Sequence, residues 1–487
     1  MLNRAPSLEL LTRAPLDVLV IGGGIVGACV ARDAAMRGLR TGLVEQRDFA
    51  FGTSSRSSRL LHGGIRYLAQ GRVGLVREAS VEKAILHHIA PHLAAPLPFV
   101  FPTYRDNPKW KLWQLKFGVK LYDLLCSGRN LGQSSWLSAA ETVAQVPGLT
   151  DQSLAGAVRY FDGFTNDARL VLDTLRSASR HGAAVMNYTR FIQAQRGDLW
   201  TCEVETVADG ARHTLQAKAV VNATGPWADG LPHSAVKLRL TKGIHLVVDR
   251  PRLPVTDALV MTEGSRVLFA IPWGDRTILG TTDTDYDGPL DAVTADANDV
   301  AYVLRIANQF FPKGKLSSAD VISTWAGLRP LIADPKGKPS DISRSHEIKS
   351  PEPNWWDVAG GKLTTCRLMA EQTVDRVIRS AELQALPCDT AEELLLTEPD
   401  AFSGITPPAV SRKAVRHYCE HEWAQHLDDV MIRRTSWHYY HADAEVIARQ
   451  VLDWMAELRA WDEETKAAEW TAYQRLLSLS TQGARRS

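Results

Sequence analysis

Three separated stretches carry residue types suited to one piece of chemistry. Residues 358–366 read VAGGKLTTC, residues 53–68 read TSSRSSRLLHGGIRYL, and residues 217–229 read AKAVVNATGPWAD. Glycines let the main chain approach a large planar ligand, and hydroxyls suit a diphosphate. The stretches also carry cations, Arg66 and the Lys362 amine among them, and arginine can grip an anion through two parallel N–H groups. Proton transfer at such a site needs a base near neutrality or a cation that stabilises the anion formed. Of the histidines near these stretches, His62 is preferred as the base because it adjoins Gly63, Gly64 and Arg66. His245 reads equally as a hydrogen-bonded structural residue. A solvated Ser/Arg loop is the bland reading of residues 53–68. Against it, His62-Gly63-Gly64 resumes an apolar helical pattern and not a linker.

Such residues need a frame, and residues 17–45 supply its start. DVLVI reads as a buried parallel strand, the alanine-rich run 25–36 as a helix closed by Gly38, and TGLVE as a second strand. Gly22, Gly24 and Gly27 form GxGxxG between strand and helix. The first permits the turn, the second admits a pyrophosphate, and the third lets the helix pack on the strand. Glu45, ending the second strand, is placed to accept hydrogen bonds from an adenosine ribose. The two late stretches, VVNATGPW and VAGGKLTT, read as further strands ending in small residues. A nicotinamide site seldom needs them, whereas a flavin buried along its length does. The helix from residue 363 to 379 would aim its positive end at the flavin ring and stabilise the reduced form.

Elsewhere, residues 167–181 read as a helix followed by strands to Glu205, and residues 244–282 as an antiparallel sheet with a Gly274-Asp275 turn. Residues 108–130 read as a helix with Trp110, Trp113, Phe117, Leu121 and Leu124 along one stripe among Lys109, Lys111, Lys116 and Lys120. The stripe is read as core-facing, with a membrane-interface helix as the alternative. Past residue 385 strand signals give way to helical patterns.

The 487 residues are 45% hydrophobic and 23% charged, with a formal net charge of +1. That exceeds one core and supplies no global field for nucleic acid or membrane. Six cysteines without CxxC spacing indicate neither a zinc site nor a disulfide framework and suit a reducing compartment. No run reaches the roughly 20 apolar residues of a membrane span, and the N-terminus lacks a signal-peptide core. His417 and His421 stand four apart on an expected helix with no evident completing ligand, so no metal is expected.

IGGGIVGACVARDAAMRGL, TSSRSSRLLHGGIRYL, NDARLVL, VVNATGPWAD, KGIHLVV, FAIPWGDRTILGTTDTDY, WAGLRPL and AGGKLTTCRLMAE run in order over residues 17 to about 375. Together they resemble the FAD-dependent, respiratory glycerol-3-phosphate dehydrogenases. The resemblance implies an α/β fold: a Rossmann-type FAD-binding domain of the glutathione-reductase/D-amino-acid-oxidase kind, an antiparallel-sheet substrate domain and a C-terminal helical domain. The expected FAD-binding parts are about 14–90, 150–240 and 345–385. Substrate or cap parts are about 91–149 and 241–344, and the helical domain is 386–487.

It also implies oxidation of the C2 alcohol of sn-glycerol 3-phosphate to dihydroxyacetone phosphate, with hydride passing to FAD and electrons to a quinone. His62, Arg66, Arg329 and Lys362 are the expected catalytic residues. Tyr67, His245 and Thr364 join Arg66, Arg329 and Lys362 at the substrate. FAD is expected against Gly22, Gly24, Gly27, Glu45, Thr53, Ser54, Ser58, Gly63, Gly64, Thr224, Gly225, Gly360, Gly361, Lys362, Leu363 and Thr364. Location in the cytoplasm, with the inner membrane face and a second copy of the chain as further partners, completes the expectation. Arg59 stands where lysine is common and Cys366 where tyrosine is common. In the C-terminal part only DDVMIRRT, residues 428–435, matches. The competing reading is an FAD oxidase of another hydroxy acid or an amine using oxygen. Its substrate would not need several phosphate-directed cations. A flavin-binding protein without turnover is the third reading.

Overall fold

The computed structural model describes residues 4–64, 72–107, 109–125, 130–264, 266–333 and 346–485. Arg66 and Tyr67 lie outside them. Among the described residues the strands form one eight-stranded and one ten-stranded sheet.

The expected strand–helix–strand start is present as Leu16–Ile21, Ile25–Met36 and Thr41–Val44. Leu16–Ile21 lies at the centre of the first sheet, parallel to Thr41–Val44 on one side and Arg212–Asn222 on the other. Trp355–Gly360 extends the sheet in parallel beyond Arg212–Asn222. Val18, Leu19 and Val20 are fully buried, which is why this stretch reads as a continuous apolar run and not an alternating one. Helices Ile25–Met36, Asp167–Arg180 and Cys366–Ser380 share one core against the sheet.

The second sheet is mostly antiparallel. Leu238–Asp249 pairs with Arg276–Gly280 and with Val321–Ile332, and Ala95–Tyr104 with Leu154–Phe164. Leu154–Phe164, expected with the FAD-binding part, therefore belongs to this sheet. Its ten-residue antiparallel pairing with Ala95–Tyr104 decides its place.

The stripe on Leu112–Leu125 also differs from expectation. Leu115, Val119 and Tyr122 face inward, while Trp113, Phe117 and Leu124 are 68%, 69% and 74% exposed. Both faces are apolar, so the period identifies a helix without saying which side is covered. No helix among the described residues is long and apolar enough to cross a membrane.

Beyond residue 385 an irregular stretch leads to residue 411, and the regular elements that follow among the described residues are helical: Arg412–His421, a π-helical turn Asp429–Arg434, Trp437–Tyr440, Ala444–Arg459 and Glu463–Arg485. They have their own core around Trp437, Val451 and Met455. Buried charge joins them to the rest. Arg433 donates from Nε to Asp48 at 2.5 Å, and Arg434 pairs with the same carboxylate. Arg169 holds both oxygens of Glu422 at 2.5 and 2.8 Å.

Candidate active site

A cavity of about 330 Å³ opens at the carboxyl ends of the parallel strands, where ligands of open α/β sheets bind. Four distant segments wall it: Gly22 and Gly24, Thr53 and Ser54, Thr224 and Gly225, and Gly360 to Leu363, with Glu45 at one end. The sequence placed a cofactor against all four.

The wall is built by main-chain geometry. Gly22 has φ +110°, and a Cβ there would lie 2.7 Å from the carbonyl oxygen of Ala223. Gly360 and Gly361 have φ +72° and +79°, the left-handed region that L side chains resist. This turn carries the chain from Trp355–Gly360 to the 3-10 turn Leu363–Thr365 and the helix behind it. Ser54 accepts a hydrogen bond at 3.0 Å from the amide of Ile25, so it satisfies one of the unpaired N–H groups at that helix start. Glu45 accepts from the amides of Gly23 and Arg47, both at 2.8 Å. Its burial raises the carboxyl pKa, against the pull of those two amides.

Other expected cofactor contacts line no part of this cavity. Gly27 faces the chain itself: a Cβ would sit 1.9 Å from the carbonyl oxygen of Gly22, which is the close helix packing its motif position requires. Ser58 meets Nε2 of His245 at 2.8 Å. The amide of Gly63 points at Tyr122 and Asp162. Gly64 adopts φ +78°. Thr364 accepts from the amide of His62 at 3.0 Å and donates to its carbonyl at 3.3 Å.

Arg329 lies on Val321–Ile332, and the next residue, Pro330, lines the cavity. Its guanidinium donates to Thr281 Oγ1 at 3.0 Å and, at 3.2 Å each, to the Thr282 carbonyl and to Asp283. The GTTD stretch is thus a holder for this arginine. Thr53 Oγ1 donates to the Leu328 carbonyl at 2.7 Å and so fastens the same strand to the 53–68 stretch.

His245 is buried and stacked on Trp325 at 5.1 Å. Burial, reinforced by the charges of Arg329 and Arg59, lowers its pKa to about 3, so its ring is neutral at neutral pH. A ring of that basicity suits a hydrogen-bond partner for Ser58 better than a proton acceptor. Arg59 itself is buried over the Trp273 ring at 4.3 Å, with Asp167 4.0 Å from its Nε.

Sequence reasoning missed Asp167, Phe191 and Trp227 as cavity residues. Asp167 opens a helix capped by Asn166 and accepts from the amide of Ser57 at 2.9 Å. The Asn-Asp pair in NDARLVL was a helix-start signal that also carried this contact. His417 does meet carboxylates, contrary to expectation: Asp400 and Glu422 converge on it, but both also pair with arginines.

A cavity walled by small residues, with a helix N-terminus at GxGxxG and an acid at the second strand, has the form of an FAD cradle. Residues 17–376 match the family described as FAD dependent oxidoreductase, and residues 370–466 the C-terminal domain of alpha-glycerophosphate oxidase. A Mycobacterium leprae protein named glycerol-3-phosphate dehydrogenase is 34% identical over 97% of this chain and 89% of its own length. The chain belongs to the FAD-dependent glycerol-3-phosphate dehydrogenase family. Within it, a Staphylococcus aureus protein named aerobic glycerol-3-phosphate dehydrogenase is 37% identical over 77% of this chain and 70% of its own. The crystal structure of the Bacillus halodurans glycerol-3-phosphate dehydrogenase complexed with FAD superposes with a TM-score of 0.80 at 30% identity, covering 99% of both chains. Geobacillus kaustophilus glycine oxidase, at 20% identity and a TM-score of 0.59 over 79% of this chain and all of its own, shares the fold.

Proposed function

We propose that this enzyme oxidises the C2 alcohol of sn-glycerol 3-phosphate to dihydroxyacetone phosphate and delivers the electrons to a quinone. The observation that carries the reading is the fixed Arg329 guanidinium, held by Thr281, Thr282 and Asp283 on the residue before cavity-lining Pro330, together with Lys362 in the cavity wall. An arginine adjoining cavity-lining Pro330, with a lysine in the cavity wall, suits a substrate with a phosphate dianion better than an amine or a hydroxy acid. The related proteins from Mycobacterium leprae and Staphylococcus aureus are named for the same substrate.

FAD, held by the four cavity segments, supplies the hydride acceptor when bound. Arg329 orients the phosphate. Lys362, two residues from Thr364, places positive charge where an alkoxide develops. His62, tied through its backbone to Thr364, takes the hydroxyl proton. Arg66 and Tyr67 complete the substrate contacts in this proposal. The exposed face of Leu112–Leu125 fits peripheral attachment to a membrane. Trp113, Phe117 and Leu124 project from it, and Trp136 nearby lies 5.2 and 5.8 Å from the amines of Lys116 and Lys120. Aromatic rings ringed by lysines suit an anionic lipid surface.

The test is an acceptor assay with product analysis. With sn-glycerol 3-phosphate and a soluble quinone analogue, dihydroxyacetone phosphate should accumulate with equimolar quinol and little oxygen consumed. Oxygen uptake with no quinone reduction would replace the acceptor. Turnover of amino acids in place of the phosphate ester would replace the substrate.

A further inference from the structure

Lys83 of Val73–Ile89, Tyr122 of Leu112–Leu125 and Asp162 of Leu154–Phe164 meet in a buried cluster beside the 53–68 stretch. Their exposures are 0%, 0% and 2%. Lys83 Nζ lies 2.8 Å from Asp162 and 3.2 Å from Tyr122 Oη, and Tyr122 donates to Asp162 at 2.5 Å. A buried ion pair contributes little net stability compared with apolar packing, so the cluster calls for another account.

The account lies in what it holds. The amide of Gly63 donates to Tyr122 Oη at 3.1 Å and to Asp162 at 3.3 Å. A Cβ on residue 63 would come within 2.4 Å of that phenol oxygen, so the backbone is pressed against it. On the other side, Thr364 bonds both the amide and the carbonyl of His62. The peptide units around His62 are therefore clamped between the turn that carries Lys362 and a rigid charged cluster.

We infer that Tyr122, with Asp162 and Lys83 behind it, is a positioning residue that fixes the backbone from which the His62 imidazole reaches the reacting alcohol. The inference rests on the reading of His62 as the base. Misplacing a reacting group by an ångström costs about 100-fold in rate. Tyr122→Phe keeps the ring, removes the hydroxyl's contacts to Gly63, Lys83 and Asp162, and leaves the Gly63 amide only the longer contact to Asp162.

In the FAD-loaded full-length Tyr122→Phe protein, kcat for sn-glycerol 3-phosphate should fall about 30-fold while KM stays within about threefold. Bound FAD per chain should not change. Backbone hydrogen exchange in a peptide covering residues 60–64 should speed up by about tenfold or more as the Gly63 amide loses its phenol acceptor. Should Tyr122→Phe not fold, Asp162→Asn, which weakens the acceptor shared by Gly63, Tyr122 and Lys83, should raise the same exchange rate, and a native rate there would overturn the inference. Native exchange at 60–64 with native kcat per bound flavin in Tyr122→Phe would overturn the inference. So would a lowered melting temperature with neither readout moved, since that describes a merely structural cluster. If the unaltered enzyme fails to turn over the ester, the functional reading falls, and the exchange measurement still decides whether the clamp exists.

Discussion

The cofactor cavity and the junction with the C-terminal helices are both polar interiors, yet they are built in opposite ways. At the junction, charge meets charge: Glu422 is gripped by Arg169, Arg176 and His417, and Asp48 by Arg433 and Arg434. In the cavity, glycines, serines and threonines at strand ends and turns bare the main chain between apolar residues, and the few charged groups, Glu45, Asp167 and Lys362, come from separate segments. Carboxylates whose oxygens are taken up by fixed guanidinium groups hold a fold together. Open, small-residue walls next to a helix N-terminus hold a ligand. The convergence of Asp400, His417 and Glu422 belongs to the first kind.

The contrast can be broken most forcefully at the junction. Glu422→Gln strips Arg169 of its buried partner and should destabilise the protein by about 3–5 kcal/mol, read by denaturant unfolding. FAD affinity of the fraction still folded should be unchanged. In the cavity, Gly361→Ala forces a left-handed residue and a Cβ 2.4 Å from the sulfur of Met369, a strain of about 1–3 kcal/mol. Its loss should appear first as FAD released on gel filtration.

A pH series sharpens the same contrast. Burial opposes the charged form of His417, but hydrogen bonds to Asp400 and Glu422 prevail and raise its pKa to about 9, above the ordinary 6.5. His426, held by Glu469, is likewise raised to about 9 against its burial. A folded value above the unfolded one means that this stability is complete below pH 6.5 and lost as pH rises toward 9. The melting temperature should fall across that window, and His417→Gln should flatten part of the slope. The smallest effect on folding is expected outside both regions. Trp113→Ser with Phe117→Ser should change stability by no more than about 0.5 kcal/mol. The same pair should weaken flotation with anionic vesicles by about tenfold or more, given about 1.5–3 kcal/mol for burying one large apolar side chain.

The cavity was legible in the sequence because its logic is local. A glycine at a strand end means the same thing wherever the strand lies, so GxGxxG, ATGP and AGGK each announced their part. The junction and the holder of Arg329 were not legible in that way. Thr281 and Asp283 act on a guanidinium 46 to 48 residues away, through the antiparallel pairing of two strands on a third. GTTD was recognisable as a motif, but its physical task depends on that register. Periodicity likewise found the helix at residues 112–125 but assigned the Trp113 and Phe117 stripe to the core, because that face is as apolar as the Leu115 and Val119 face that is in fact covered.

The proposed oxidation turns on Arg329 as the anchor of the phosphate ester. Anaerobic mixing of the FAD-loaded protein with sn-glycerol 3-phosphate, followed by the absorbance of oxidised flavin, tests it most directly. The account predicts rapid bleaching that is absent with glycerol and slowed about 1,000-fold in Arg329→Ala, on the scale of losing a charged, bidentate contact in the transition state. An FAD-loaded protein that stays oxidised with the ester, or that bleaches equally with Arg329 removed, would contradict it.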